Sequence, residues 1–315
     1  MAATIAYFRE RPRLTKSLQA VLVLATIAFC VWGVRDEWSK AGDRLENANV
    51  ADLVIALFVI AAYYLVFILG WIRMLRAWDI RISYRAALQA EMVSMLAKYL
   101  PGGVWTPAAR TVALRRNAGV TETSTVLASI LLEAALSAIS GVIVFIASLA
   151  WVRGVNAPWP LLVAFGLLLT VCVHPIVFRP LSARLLKPFG AAVEPLPAGL
   201  TGVLLLFYCG TWLIGGFGLY FLVLSVGANP GLSTVPFLGG VSAIGAIVAV
   251  LAVFTPSGLG LREASMYGLL LAVTSAGPAL GATLLNRLVI TVVELALFAV
   301  GLVSWRSLRA KPISQ

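Results

Sequence analysis

Long apolar stretches separated by short groups of basic residues dominate the pattern of the chain. Six of these stretches, of about 17–28 residues each, are long enough to cross a ~30 Å bilayer core as α-helices. They are Leu18–Val34, Asp52–Ile72, Leu127–Trp151, Trp159–Phe178, Gly199–Val226 and Pro278–Trp305. The pattern predicts an all-α polytopic membrane protein with six full spans.

Two further apolar segments are interrupted by proline and glycine. The first, Ala86–Leu100, is too short to cross and breaks at Pro101–Gly103 before the still shorter Val104–Leu114. The second has the arms Val235–Phe254 and Leu261–Ser275. Backbone groups freed by such breaks need a protein-lined or water-filled environment. We therefore expect two re-entrant broken-helix hairpins, although the longer arms of the second leave eight crossings as an alternative.

The charges determine orientation and partners. Apolar residues make up 61% of the chain and charged residues 12%, with a mean hydropathy of +0.96, which excludes a soluble domain. The 24 Lys and Arg against 13 Asp and Glu give a net charge of +11. With the spans placed, roughly 18 of the basic residues fall on one side, as expected for cytoplasmic loops. This bias predicts cytoplasmic N- and C-termini (N-in/C-in), and it accounts for the basic charge without a nucleic-acid partner.

Two parts of the single membrane domain, residues 1–315, share an order of features. Residues 52–151 and 199–304 each contain a span, a broken hairpin and a second span with one glutamate, Glu133 or Glu294. By the predicted topology the first unit starts outside and the second inside, so the units form an inverted-topology repeat. Transporters are often built this way, with the substrate site where the repeats meet. The glycines that follow the two glutamates are Gly141 and Gly301.

Arginines follow both breaks at membrane depth. Arg110 and Arg262 lie within about two turns of the point where each helix restarts. A helix N-terminus beside a guanidinium suits a phosphate group. The alternative is an arginine that extends to the membrane interface beside a helix kink. Glu263, directly after Arg262, is a candidate for neutralising it.

Intramembrane carboxylates are costly and usually face a partner or an aqueous path. Glu133 and Glu294 are candidates for proton or substrate coupling, or for structural ion pairs with arginines such as Arg287, two turns before Glu294. Both interpretations stay open. The other coupling or ion-pair candidates are Glu91 and Glu263.

The remaining conspicuous residues favour structure over catalysis. The three cysteines lie in apolar stretches without CxxC spacing, and the chain has one histidine, so a metal site has no support. We expect no cofactor and no enzymatic activity. Five tryptophans fit an interfacial aromatic belt: Trp71, Trp78, Trp151, Trp159 and Trp305.

The two broken segments resemble the signatures of a known family. Lys98–Trp105 (KYLPGGVW) and Thr255–Glu263 (TPSGLGLRE) are similar to motifs of the lysylphosphatidylglycerol synthase transmembrane, or flippase-like, family. The resemblance implies a multi-pass plasma (inner) membrane protein of a bacterium or archaeon. Such a protein moves anionic or modified phospholipids, or polyprenyl-phosphate-linked lipids, between leaflets. The chain looks like a stand-alone member without the family's aminoacyl-transferase domain.

The sequence as a whole predicts a lipid flippase or transporter. The alternatives are an ion-coupled carrier of a small soluble anion, a membrane-embedded lipid head-group transferase and a non-transporting scaffold. The expected partner is a membrane lipid substrate, while a homo-oligomer and a separate lipid-modifying enzyme are open. The predicted substrate-binding residues are Lys98, Pro101, Gly102, Gly103, Trp105, Arg110, Pro256, Ser257, Gly258, Gly260, Arg262 and Arg287.

Overall fold

The computed structural model describes residues 47–95, 97, 105–152, 154–155, 159–190, 192–252 and 258–309, with side chains as far as Gly301. The first predicted span, Leu18–Val34, lies outside these residues. So do six predicted site residues: Lys98, Pro101, Gly102, Gly103, Pro256 and Ser257.

Helices account for the regular structure, which confirms the all-α prediction for the described part of the chain. Ten α-helices are present there, and no strand. They are α1 (Val50–Ala77), α2 (Tyr84–Met95), α3 (Trp105–Ala118), α4 (Thr123–Ser148), α5 (Trp159–Val173), α6 (Pro175–Leu185), α7 (Ala198–Ser225), α8 (Val235–Leu251), α9 (Leu261–Leu270) and α10 (Ala276–Arg309).

Five of the described helical segments are long and apolar enough to cross a membrane. Four of them contain most of a predicted span: α1, α4, α7 and the part of α10 up to Gly301. The fifth is Leu232–Leu251, a 3-10 turn continued by α8, which is the first arm of the second predicted hairpin. That arm therefore has spanning length, and the choice between six and eight crossings stays a prediction.

The predicted span Trp159–Phe178 is bent and does not form one straight helix. Helix α5 ends at Val173, α6 begins at Pro175, and the two axes meet at 78°. Proline disfavours helical backbone at the residue before it, and His174 accordingly adopts an extended conformation. The pair provides a sixth candidate span only if both helices are counted together.

Both predicted hairpins contain pairs of packed helices. Helix α2 packs against α3, and α8 packs against α9. At 12 and 14 residues, α2 and α3 are each too short to cross a bilayer core of ~30 Å. The first break therefore separates two short helices that lie side by side.

The helix contacts fall into corresponding pairs when α1–α4 are matched in order with α7–α10. The contact of α4 with α8 corresponds to that of α10 with α2. Likewise α4 packs on α7 as α10 packs on α1, while α1 and α7 pack against each other. The contacts of α3 with α4 and of α9 with α10 also correspond. The two sets of four helices are thus packed in matching ways.

Glycines make two of these matched contacts close. A Cβ on Gly141 of α4 would lie 2.5 Å from Ala243 Cβ on α8. A Cβ on Gly301 of α10 would lie 2.9 Å from Met92 Cβ on α2. A real side chain would not fit at these distances. The two glycines therefore allow α4 and α10 to lie unusually close to their neighbouring helices, as small residues do in membrane proteins. These are the glycines that follow the two glutamates in the sequence.

Candidate functional site

Arg110 of α3 lies at the centre of a buried charged cluster. Its Nη1 donates to Glu133 Oε2 on α4 over 2.5 Å, and its Nη2 lies 2.7 Å from Glu91 Oε2 on α2. The guanidinium carbon stacks 3.6 Å from the ring centroid of Trp71 on α1. Arg110 is only 3% exposed. Four helices therefore contribute to one site, which we call the Arg110 cluster (Glu91, Arg110, Glu133 and Trp71).

Trp71 is fixed beneath the guanidinium by a second contact. Its Nε1 donates to Ser129 Oγ over 2.8 Å, and the indole is fully buried. The aromatic-belt prediction is therefore wrong for Trp71, because α1 continues to Ala77 and places this residue inside the helix bundle. A desolvated guanidinium over an indole is stabilised by about 2 kcal/mol. Trp71 thus helps to hold Arg110 away from water.

The burial of Arg110 contradicts the alternative prediction, in which its side chain extends to the membrane interface. Two carboxylates face its single positive charge inside the protein. An incoming phosphate would have to compete with both of them. The cluster is consequently better suited to holding α2, α3 and α4 together than to binding an anion directly.

Two tyrosines connect the matched sets of helices through the buried glutamates. Tyr208 of α7 donates to Glu133 Oε1 over 3.4 Å. Tyr64 of α1 donates to Glu294 Oε1 on α10 over 2.5 Å. In both cases a tyrosine on the first helix of one set reaches the glutamate on the last helix of the other set. Sequence reasoning found the glutamates but missed the tyrosines, which look like ordinary apolar-face residues of their helices.

The second break precedes a helix whose first turn is capped by its own glutamate. The backbone N–H of Gly260 donates to Glu263 Oε2 over 2.7 Å. The other carboxylate oxygen, Glu263 Oε1, accepts from Arg287 Nη1 of α10 over 3.3 Å. Glu263 therefore joins α9 to α10 as well as capping α9. Arg287 pairs with this residue across helices, whereas the sequence suggested Glu294 on its own helix.

Gly258 is required by its backbone and its surroundings. Its φ of +68° lies in the left-handed region, and a Cβ there would collide with Ala249 of α8. Gly260 has a φ of +85°, and a Cβ there would meet no atom of the described residues within 4 Å. The break thus passes close to α8 at Gly258 and opens at Gly260.

Arg262, the second residue of α9, is half-buried. Its side chain runs beside α8, where a Cβ on Gly245 would lie 3.5 Å from Arg262 Cγ. No carboxylate of the described residues lies within ion-pair distance of its guanidinium. Its neighbour Glu263 pairs with Arg287, so the prediction that Glu263 neutralises Arg262 finds no support.

Two further predicted binding residues, Trp105 and Arg287, lie within the described ranges. Trp105 is the first residue of α3, and 45% of it is exposed. Arg287 is buried on α10. The structure therefore separates the described part of the predicted site into the Arg110 cluster, whose arginine faces two carboxylates, and a less enclosed group at the start of α9.

These features define a helical, multi-pass membrane protein with charged groups buried between its helices. The family model for the lysylphosphatidylglycerol synthase TM region matches residues 18–297. Because the match covers most of the chain, the protein belongs to this family. No curated protein matches the chain.

Proposed function

We propose that this protein is a lipid flippase or transporter whose head-group site lies at the start of α9. The observation that carries the proposal is Arg262, a half-buried guanidinium with no carboxylate partner in the described part of the chain. A cation left unpaired at membrane depth is costly. An anionic head group would supply the missing charge.

The surroundings of Arg262 suit a phosphate group. The guanidinium can donate two parallel hydrogen bonds to phosphate oxygens, and the start of α9 adds the positive end of a helix. Gly260 leaves open space beside this helix start. A head group there would lie against the segment before α9. This segment contains Gly258 and Gly260, two of the predicted binding residues.

The matched helix contacts support an inverted-topology repeat. Each contact among α1–α4 has a counterpart among α7–α10, and both Tyr–Glu hydrogen bonds join one set to the other. In transporters with this architecture, one repeat moves against the other around a site near the midplane. Arg262 lies beside Gly245 of α8, a helix of the second set that also packs on α4 of the first set.

Family membership favours a lipid over a soluble cargo. We assign the protein to the plasma (inner) membrane of a bacterium or archaeon, with both termini cytoplasmic and no enzymatic step of its own. A separate lipid-modifying enzyme would supply a modified lipid. The substrate class we propose is an anionic or modified phospholipid or a polyprenyl-phosphate-linked lipid.

The decisive experiment compares lipid movement by the parent protein and by Arg262→Lys in reconstituted vesicles. The readout is the transbilayer movement of a fluorescent phosphatidylglycerol. With the lipid below saturation, we expect the lysine variant to move it about tenfold more slowly, because loss of one charge-assisted hydrogen bond weakens binding by roughly 1.5 kcal/mol. Arg184→Lys, at an exposed position on α6, is the matched control.

Two outcomes would overturn the proposal. One is normal phosphatidylglycerol movement by Arg262→Lys at equal amounts of folded protein. The other is a parent protein that moves no lipid but accumulates inorganic phosphate in the vesicles, which would make it a carrier of soluble anions.

A further inference from the structure

Among the residues that the structure describes, the Arg110 cluster contains more negative than positive charge. Glu91 and Glu133 both face the one guanidinium of Arg110, so two full carboxylates would leave one excess negative charge. The side chains of Arg110 and Glu133 are each 4% exposed. An uncompensated charge at such burial is strongly unfavourable.

The helices around Glu133 provide no second cation among the described residues. Helix α1 contributes Trp71, and α7 contributes the Tyr208 hydroxyl. Helices α5 and α8 contain no charged residue. The groups facing Glu133 are thus one arginine, one carboxylate and neutral aromatic side chains.

The helices around Glu91 lead to the same result. Helix α3 contributes Arg110, while the α1 arginines Arg73 and Arg76 are exposed. Helix α10 carries Arg287, which pairs with Glu263, and Glu294, which accepts from Tyr64. Within the described residues, Arg110 is therefore the cation that Glu91 and Glu133 share.

The polar atoms of the cluster are also incompletely satisfied. Arg110 Nη2 and Glu91 Oε2 lie 2.7 Å apart but are not aligned as a hydrogen bond. Arg110 Nε, which is equally buried, has no hydrogen-bond acceptor among the described residues. The cluster is consequently charge-unbalanced and under-bonded at the same place.

We propose that Glu91 and Glu133 share one exchangeable proton, so that the Arg110 cluster is a proton-binding site. One proton makes the group electrically neutral, with one carboxylate and one guanidinium. This proposal does not depend on which cargo the protein carries.

The two carboxylates differ in exposure, and this difference suggests the order in which they receive the proton. The Glu91 side chain is 17% exposed and that of Glu133 is 4% exposed. A proton enters at Glu91 and is then shared with Glu133 around Arg110. Tyr208 links the inner carboxylate to α7, so the proton load of the cluster acts on a contact between the two helix sets.

Infrared spectroscopy of the purified protein in detergent tests the proposal without any transport step. The carbonyl stretch of a protonated carboxylic acid, with carbon-13 labelling of glutamate, reports the proton directly. We expect one such band near neutral pH that disappears at alkaline pH. Glu91→Gln and Glu133→Gln should each abolish it, because the remaining carboxylate then matches Arg110. Glu194→Gln, at an exposed ion pair with Arg179, should leave it unchanged.

Absence of the band from the folded parent protein at every pH would overturn the proposal. Its survival in both cluster variants would do so as well, because the proton would then reside elsewhere. If Glu133→Gln fails to fold, Glu91→Gln decides the question, since its side chain lies at the more exposed end of the cluster. A parent protein that shows the band but moves no lipid in vesicles would count against the proposed function alone.

Discussion

Tyr64 and Glu294 lie 230 residues apart in the chain, yet the tyrosine hydroxyl donates to the carboxylate over 2.5 Å. The corresponding bond from Tyr208 to Glu133 spans 3.4 Å. A hydrogen bond to a charged group gains strength where water is excluded, although in membrane proteins the measured contributions are modest. These two bonds tie the first helix of each set to the last helix of the other.

Removing the shorter bond should destabilise the protein more than removing the longer one. We expect Tyr64→Phe to lower the free energy of unfolding by about 1–2 kcal/mol and Tyr208→Phe by less, since the 3.4 Å bond is weaker. Thermal unfolding in detergent measures both. Tyr267→Phe is the control, because the Tyr267 hydroxyl makes no hydrogen bond to a described residue. Equal losses in all three variants would remove any special role for the inter-set bonds.

The glycines at the second break should respond in a graded way to alanine. Gly258→Ala combines a strained φ with a collision against Ala249, whereas Gly260→Ala introduces strain alone. We expect the larger loss of stability for Gly258→Ala, with roughly 1–2 kcal/mol attributable to left-handed backbone in both. Gly268→Ala, inside α9 with open space around it, should be neutral or stabilising. Unfolding curves of the three variants test this order. A Gly258→Ala variant as stable as the parent protein would refute it.

Arg110 should be essential for folding unless its carboxylates are removed with it. Arg110→Gln leaves two buried carboxylates without a cation, at a cost of about 3–5 kcal/mol. The triple variant Arg110→Gln, Glu91→Gln, Glu133→Gln should recover much of this loss, because no buried charge remains. The yield of monodisperse protein and its melting temperature are the readouts. If Arg110→Gln were as stable as the parent protein, the ion pairs of the Arg110 cluster would contribute little to stability.

The predicted orientation is testable by cysteine labelling in a background lacking Cys30, Cys172 and Cys209. Cysteines at Asn47 and Asn229 should react with an impermeant reagent added outside. A cysteine at Ser83 should react only after permeabilisation, because the arginine-rich loop containing it is expected to be cytoplasmic. External reaction at Ser83 would refute both the orientation and the inverted repeat.

The sequence predicted most of the helices because apolar length and charge placement are properties of the chain itself. It did not predict the bend inside Trp159–Phe178, where Pro175 interrupts a long apolar run. It also failed for Trp71, since a tryptophan at the predicted end of a span looks interfacial until the helix is seen to continue.

Ion-pair partners were not predictable from spacing alone. Arg287 and Glu294 share a helix face, but seven residues separate their positions by about 10 Å along the axis. Glu263 reaches Arg287 because α9 packs on α10, which is a tertiary contact. Tyr64 and Tyr208 were missed for the same reason. Their roles depend on glutamates from distant parts of the chain.

Helix α5 connects the two sets of four helices, and its shortness affects the surrounding lipid. Its 15 residues measure about 22 Å, against ~30 Å for an average hydrocarbon core. If α5 crosses the bilayer, as an inverted repeat requires, this hydrophobic mismatch is relieved by local thinning of the membrane. A thinned annulus beside the protein shortens the apolar distance that a polar head group must travel between leaflets.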